Sequence, residues 1–142
     1  MPLPPEIAEN LRLPLISAPM FLVSGPDLVI AACRSGVIGS FPTANCRTLD
    51  ELDGWLGKIV TETSNAAPFA PNLIVHKSNV RLMEDTALVA KHQAPLVIAS
   101  VGSPGPIIEA IHEYGGRVFA DIASMRHAEK AISIGVDGLV LL

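Results

Sequence analysis

Apolar residues in this sequence gather in six short blocks, and the segments between the blocks have helical periodicity. The blocks are rich in aliphatic residues, are bounded by glycine, proline or serine, and cover residues 13–20, 37–41, 69–76, 96–102, 117–124 and 137–142. A continuous apolar run, as opposed to an alternating one, is typical of a strand that is covered on both faces, as in parallel sheets. The pattern therefore predicts six parallel strands.

The segments between the blocks predict five helices. Thr48 and Glu51 have the spacing of a capping box, and leucine and isoleucine then recur on one helical face. Pro104 lies where the fourth helix would start, and Ser124 is a candidate N-cap for the fifth, which should stop at Gly135. Residues 26–35 and 80–92 supply the remaining two helices.

This alternation of strands and helices fits either a doubly wound open sheet or a (β/α)8 barrel, which needs about 250 residues. No linker or change of composition divides the 142 residues, so we expect one domain. The last apolar block reaches residue 142 with no helix after it, and an uncovered strand edge is one that natural chains usually protect. We therefore predict that residues 1–142 form the N-terminal part of a single parallel TIM-type barrel, incomplete at its C-terminus, with six strands and five helices of a probable eight.

Composition narrows the classes of function. No apolar run approaches the roughly 18 residues of a membrane span, and MPLPPEIAEN lacks the basic and apolar regions of a signal peptide. We expect a cytoplasmic protein that does not bind membranes. Ten Lys and Arg residues, a net charge of −4 and 4% aromatics argue against a nucleic-acid surface. Cys33 and Cys46 have no CxxC or Cys/His spacing, which predicts buried thiols and no metal site.

Several segments, in order and spacing, resemble the nitronate monooxygenases, formerly called 2-nitropropane dioxygenases. They are PLISAPM, SGVIGS, FAPNLIV, VIASVGSP and GGRVFADIASMRHAEKAISIGVDGLVLL. Together they span essentially the whole chain, and RHAEKA followed by GVDG is the most persuasive part. The resemblance implies an FMN-dependent (β/α)8 barrel, in a family that also includes flavin-dependent type II enoyl-ACP reductases.

The resemblance implies that the end of the first strand lies against the flavin ring. The residues at that position are Ala18, Pro19 and Met20, followed by Phe21. Their chemistry suits the role, because Ala18 is small and Pro19 makes a rigid turn without an N–H. Met20 would add a soft wall beside the ring and a backbone N–H that is free to donate.

Further positions follow the third and fifth strands. The resemblance implies that Asn72 contacts the cofactor, and an amide offers both donors and an acceptor to ribityl hydroxyls or to the pyrimidine edge. Asp121 matches the His-Asp pair that some members carry, although Ala120 stands at the His position. His76 and Lys77, just past the third strand, are candidates for a substrate or phosphate contact. The family's catalytic His and its FMN phosphate site would follow residue 142, so no catalytic residue is assigned.

Four of the implied cofactor residues also have a purely structural explanation. Pro19 would end a strand, and Met20 would fill the core. Asn72 follows a proline and would suit a turn or a cap. Asp121, at the end of a strand, would suit a cap or a salt bridge.

The function that the resemblance implies is the FMN-dependent oxidation of alkyl nitronates by molecular oxygen to a carbonyl compound and nitrite. An NAD(P)H-dependent flavin reductase of enoyl-ACP reductase type is one alternative. A non-catalytic, truncated half barrel is the other. The expected partners are a small nitronate, oxygen and, for the reductase, NAD(P)H, while the sequence leaves a homo-oligomer open.

Overall fold

The computed structural model of the protein describes residues 3–142, and within them it contains six β-strands and six α-helices. The strands are β1 (Ile16–Ser17), β2 (Ile38–Pro42), β3 (Phe69–Ile74), β4 (Leu96–Ser100), β5 (Arg117–Ile122) and β6 (Gly138–Leu141). The helices are α1 (Pro5–Ala8), α2 (Pro26–Arg34), α3 (Leu49–Glu62), α4 (Leu82–Lys91), α5 (Gly105–Glu113) and α6 (Met125–Ile134). A turn of 3₁₀ helix covers Thr43–Asn45.

The six strands form one parallel sheet in which each strand lies beside its neighbours in sequence, in the order β1-β2-β3-β4-β5-β6. One of the helices α2 to α6 connects each strand to the next. The sheet curls into a half-barrel, as the predicted TIM-type fold class requires. This arrangement confirms the predicted class, with the six strands and the five connecting helices in the expected order.

The sheet has an outer face covered by helices and an inner face on the concave side. The outer face packs a large apolar cluster against α2, α3, α4 and α5, with Phe41, Leu73 and Val97 contributed by the strands. A smaller cluster on the inner face contains Ile38, Ala70, Leu96 and Ile98, together with Ile7 and the partly buried Leu11, Ile16 and Phe119. Since side chains alternate along a strand, Ser40, Asn72, Ser100 and Asp121 also belong to the inner face.

Helix α1 has no counterpart among the predicted helices. It begins at Pro5, where the missing N–H costs nothing because the first turn has no partner for it. Its Ile7 is fully buried in the cluster on the inner face. The predicted first strand, 13–20, is also longer than the observed Ile16–Ser17, because Pro14 and Pro19 flank the pairing and have no N–H to donate.

The predicted helix ends are confirmed. The Thr48 hydroxyl accepts a hydrogen bond from the N–H of Glu51 at 3.1 Å, and the Glu51 carboxylate accepts one from the N–H of Arg47 at 2.7 Å. Ser124 caps α6 in the same way, and that helix ends at Gly135, whose φ of 96° is left-handed. Among the described residues, no helix has both the length and the apolar character needed to cross a membrane.

Candidate functional site

The predicted site residues lie at one edge of the half-barrel. Because all six strands are parallel, their carboxyl ends meet at the same edge, where active sites of such barrels are built. The segment 18–21 follows β1, and Asn72 lies in the second half of β3. His76 and Lys77 follow β3, and Asp121 is the last residue but one of β5.

A chain of hydrogen bonds across three strands joins Asn72 to Asp121. The Asn72 amide donates from Nδ2 to the Ile98 carbonyl at 3.1 Å and to the Ser100 hydroxyl at 2.6 Å. Ser100 in turn donates to Oδ2 of Asp121. Asn72 and Ser100 are buried, with 5% and 6% of their surface exposed. The structure therefore brings together two of the predicted residues, and it does so through Ser100, which the sequence analysis did not select.

The direction of each proton in this chain is determined by its partners. The Ile98 carbonyl can only accept, so the amide of Asn72 must direct its nitrogen toward β4. Ser100 has one hydrogen and accepts from Asn72, so that hydrogen goes to Asp121. No described residue donates to Oδ1 of Asn72 or to Oδ1 of Asp121. Both oxygens remain available as acceptors for a ligand.

Asp121 also borders a cavity of about 480 Å³. The walls are mostly apolar and come from the loop after β4, the end of β5 and helix α6; Ser103, His127 and Lys130 are polar residues among them. No described cationic side chain forms a salt bridge with Asp121, and its one hydrogen-bond donor among the described residues is Ser100. The structure therefore favours neither the cap nor the salt bridge that the sequence also allowed for Asp121.

The loop after β1 presents apolar side chains at the same edge. Met20, Phe21, Leu22 and Val23 have 40%, 64%, 79% and 65% of their surface exposed. Met20 is therefore not core filler. Asn45, which follows β2, holds this loop with three hydrogen bonds between its amide group and the loop backbone.

The expectation that the backbone N–H of Met20 is free is wrong. It donates to the hydroxyl of Ser24 at 3.0 Å, and that hydroxyl donates to the carbonyl of Ala18 at 3.4 Å. Ser24 lies four residues after Met20 and closes the loop on itself, a local contact that is visible only once the turn is formed. Any role of Met20 therefore rests on its exposed side chain.

His76 and Lys77 are both exposed beyond the end of β3. The backbone N–H of Ser78 donates to Nδ1 of His76 at 3.2 Å, and the Ser78 hydroxyl lies 2.7 Å from the same nitrogen. A neutral His76 that accepts this bond at Nδ1 carries its proton on Nε2. It can then donate that proton outward to a ligand.

The two cysteines are buried, as predicted, and neither has the character of a reactive thiol. Burial, followed by the nearby Glu51 carboxylate, raises the pKa of Cys46 to about 12. Burial also raises the pKa of Cys33. Both therefore stay protonated at neutral pH and are poor nucleophiles. Within residues 3–142, no three His, Cys, Asp or Glu side chains form a group that could hold a metal ion.

The arrangement fits the ring and ribityl portions of FMN. A flavin combines a flat apolar ring system with N–H and hydroxyl donors, so it needs an apolar surface and hydrogen-bond acceptors. The exposed Met20 and Phe21 offer the apolar surface. The unused Oδ1 atoms of Asn72 and Asp121 offer two acceptors on the inner face at the same edge.

Comparison with solved structures finds the same fold in several proteins of known structure. FabK from Thermotoga maritima matches with a TM-score of 0.84 at 20% identity over 96% of this chain. A nitroalkane oxidase from Streptomyces ansochromogenes matches with a TM-score of 0.80 at 18% identity, also over 96%. The enoyl reductase domain of MlnA, from the macrolactin biosynthesis cluster of Bacillus amyloliquefaciens, matches with a TM-score of 0.76 at 21% identity over 84%.

Because the sequence identities are only 18% to 21%, these similarities establish the fold alone. The chain spans 42% of the FabK chain, 48% of the nitroalkane oxidase and 30% of the MlnA chain, so it corresponds to less than half of each. No protein-family model matches the sequence, and comparison with curated proteins gave no significant match.

Proposed function

We propose that this chain binds FMN and belongs to an oxidoreductase that oxidises alkyl nitronates with molecular oxygen. The observation that carries the proposal is that an exposed apolar loop, 20–23, and the polar hydrogen-bond chain from Asn72 to Asp121 both lie at the carboxyl edge of the half-barrel. The fold shared with a nitroalkane oxidase supports it.

In this proposal the side chains of Met20 and Phe21 contact the flavin ring, with Ala18 and Pro19 setting the turn that leads to them. Oδ1 of Asn72 and Oδ1 of Asp121 accept hydrogen bonds from the ribityl hydroxyls or from a ring N–H. FMN, when bound, supplies the two-electron chemistry of the reaction. The protein contributes binding, orientation and the exclusion of water.

The substrate is an anion, and the residues just past β3 suit an anion. With Nδ1 accepting from the Ser78 N–H, a neutral His76 would donate from Nε2, and Lys77 carries a positive charge at the same rim. Both would hold the nitronate oxygens. In the overall reaction two nitronate ions and one O₂ give two carbonyl compounds and two nitrite ions, as a C=N bond breaks and a C=O bond forms on each substrate.

The first experiment asks whether the full chain binds FMN and turns over nitronate. The protein is titrated with FMN by fluorescence quenching, and the loaded protein is mixed with propane-2-nitronate while oxygen uptake and nitrite are measured. Saturable binding with equal amounts of nitrite and acetone is expected. Absence of FMN binding overturns the proposal altogether, and FMN binding without nitrite overturns the nitronate reaction.

The substrate role of Lys77 is tested with Lys77→Ala. Loss of a hydrogen bond to a charged group should raise KM for the nitronate about tenfold with little change in kcat. Lys58→Ala is the matched control, since it removes the same charge from α3. Equal KM values in the two variants would show that Lys77 does not bind the nitronate.

The reductase alternative has support from the likeness to the enoyl reductase domain of MlnA. It predicts that the FMN-loaded protein oxidises NADH or NADPH without oxygen when a short 2-enoyl thioester is present, and that it forms no nitrite from nitronate. This result would favour the reductase function over the nitronate reaction, and the proposed cofactor residues would stay the same.

A further inference from the structure

The loop from Met20 to Ser24 adopts a backbone conformation that its sequence does not favour. Leu22 has φ of 61°, in the left-handed region where residues other than glycine are strained. The side chains of residues 20–23 are exposed, so packing against the core does not hold the loop in this conformation. The hydrogen bonds of Ser24 within the loop reach Met20 and Ala18 but not Leu22, so a further contact has to hold Leu22.

Asn45 supplies that contact. Its Oδ1 accepts from the backbone N–H of Leu22 at 2.9 Å, while its Nδ2 donates to the carbonyl of Met20 at 3.1 Å and to that of Ser24 at 2.8 Å. One N–H and two carbonyls require one acceptor and two donors on a single short side chain. Among natural residues of this size only asparagine has that set, since aspartate has no donor and serine has one hydrogen.

The turn that carries Asn45 is itself anchored. The guanidinium of Arg81 donates to the carbonyls of Cys46 and Arg47 at 2.9 and 3.2 Å. The same guanidinium forms a salt bridge of 2.9 Å with Asp85, whose side chain is buried at the start of α4. Asn45 therefore connects the exposed loop to a part of the molecule that is well packed.

We propose that Asn45 is a positioning residue for the flavin site, holding the loop from Met20 to Ser24 so that Met20 and Phe21 form the wall for the ring. This inference rests on the proposed FMN binding. Asn45 makes no hydrogen bond with Asn72, Ser100 or Asp121, so it acts on the cofactor through the loop backbone.

The three hydrogen bonds from the Asn45 amide to the loop backbone form what we call the clamp. It is tested by amide hydrogen exchange in the full chain without flavin. Asn45→Ala removes the acceptor of the Leu22 N–H, so exchange at Leu22 should become at least tenfold faster. Thr48→Ala is the matched control, because it removes the N-cap of the neighbouring α3 and leaves the loop untouched. Unchanged exchange at Leu22 in Asn45→Ala would overturn the clamp, whether or not the protein binds FMN.

The effect on the cofactor is measured by FMN titration and by the visible spectrum of the bound flavin. Asn45→Ala should raise the Kd for FMN at least tenfold and shift the spectrum toward that of free FMN, whereas Thr48→Ala should change neither. If Asn45→Ala keeps the wild-type Kd and spectrum, or if Thr48→Ala reproduces its changes, Asn45 is not a positioning residue. Failure of the wild type to bind FMN overturns the proposed function, and the exchange result then decides the clamp alone.

A second substitution separates the strain at Leu22 from other effects. Glycine adopts positive φ without strain, so the loop of Leu22→Gly should depend less on Asn45. The rise in Kd caused by Asn45→Ala should therefore be at least threefold smaller in the Leu22→Gly background. An equal rise in both backgrounds would contradict the role assigned to Asn45 in holding Leu22.

Discussion

Ser100 is the residue on which the polar chain of the inner face depends. It accepts from Asn72 and donates to Asp121, so it uses its single hydrogen and its oxygen at the same time. Both Ser100 and Asn72 are buried, where water does not readily replace a missing partner. The chain is therefore a structural feature as well as a candidate site.

Replacing Ser100 with alanine should destabilise the protein. The change leaves one of the two N–H groups of the buried Asn72 amide, and Oδ2 of the half-buried Asp121, without their Ser100 partner. An unsatisfied buried polar group costs about 1–3 kcal/mol. Urea unfolding at pH 7 measures the loss. Ser103→Ala is the control, because Ser103 makes no side-chain hydrogen bond to a described residue, and its effect should stay within about 0.5 kcal/mol. Equal losses of stability in the two variants would argue against the hydrogen-bond chain from Asn72 through Ser100 to Asp121.

At the scale of elements, the packing of α2 against β2 depends on a glycine. A Cβ added at Gly39 would lie 2.4 Å from the carbonyl oxygen of Val29 and 3.0 Å from Sγ of Cys33. The backbone of α2 therefore approaches β2 more closely than any side chain would allow. This contact holds the helix that follows the apolar loop 20–23.

Gly39→Ala should lower the free energy of unfolding by about 1–3 kcal/mol, because the helix backbone must move to admit the methyl group. Gly54→Ala is the matched control in α3, where nothing lies within 4 Å of an added Cβ. It should stabilise the protein by up to about 1 kcal/mol, since alanine is the better helix former. Thermal unfolding of both variants gives the comparison, and a stabilised Gly39→Ala would contradict this packing.

Asp137 joins β5, α5 and the start of β6. Its carboxylate accepts from the N–H of Val118 at 2.8 Å, from His112 at 2.8 Å and from Arg117 at 3.1 Å. Burial alone would raise the pKa of this carboxyl, but the hydrogen bonds from Val118, His112 and Arg117 outweigh burial and lower the pKa below its ordinary value of 3.8. The ionised form is therefore favoured by folding.

Asp137 should make stability depend on pH in the acid range. Because the pKa is lower in the folded state, its contribution is complete above the ordinary value of 3.8 and is lost as pH falls through the folded pKa. Urea unfolding of the wild type and Asp137→Asn should differ most at pH 7 and least at pH 3. A difference that does not shrink on acidification would exclude this role of the charge.

At the scale of the whole molecule, the inner face of the sheet is covered in part by the N-terminal segment. Ile7 on α1 is fully buried against Ile38, Ala70, Leu96 and Ile98. These strand residues belong to β2, β3 and β4, so one short helix packs across the centre of the half-barrel. The polar chain lies on the same face, nearer to the carboxyl edge.

Ile7→Ala should lower the free energy of unfolding by about 2–5 kcal/mol, the range for truncating a buried isoleucine. Ile132→Ala in α6 is the control, because Ile132 is 62% exposed and its truncation should change stability by about 0.5 kcal/mol or less. Unfolding in urea distinguishes the two. Equal effects would mean that α1 contributes little to the cover of the inner face.

Most of the fold could be predicted because its signals are local. The capping residues Thr48 and Ser124, the stop at Gly135 and the continuous apolar runs all lie within single elements. The exceptions have physical reasons. Prolines on both sides shorten β1, and Ile7 is buried by contact with strands that are distant in the sequence.

Only part of the candidate site was predicted from the sequence. Asn72 and Asp121 were selected through the resemblance, whereas Ser100 and Asn45 were not. The partners of Ser100 lie 28 and 21 residues away, and Asn45 lies 23 residues from Leu22. No local sequence pattern predicts pairs that are so far apart in the chain.

By itself, the sequence determined the order of strands and helices and the parallel class, because runs that are apolar on both faces need cover and parallel neighbours need a crossover. It could not determine which face of each strand is the inner one, since both faces are apolar. That choice came from the tertiary structure, through the register that sets Asn72 beside Ile98 and brings Ser100 and Asp121 into line. The turn after β2 likewise brought Asn45 to the loop, where its amide bonds to the backbone of Met20, Leu22 and Ser24. Polar partners of this kind are selected by proximity in three dimensions, and the folded sheet creates that proximity.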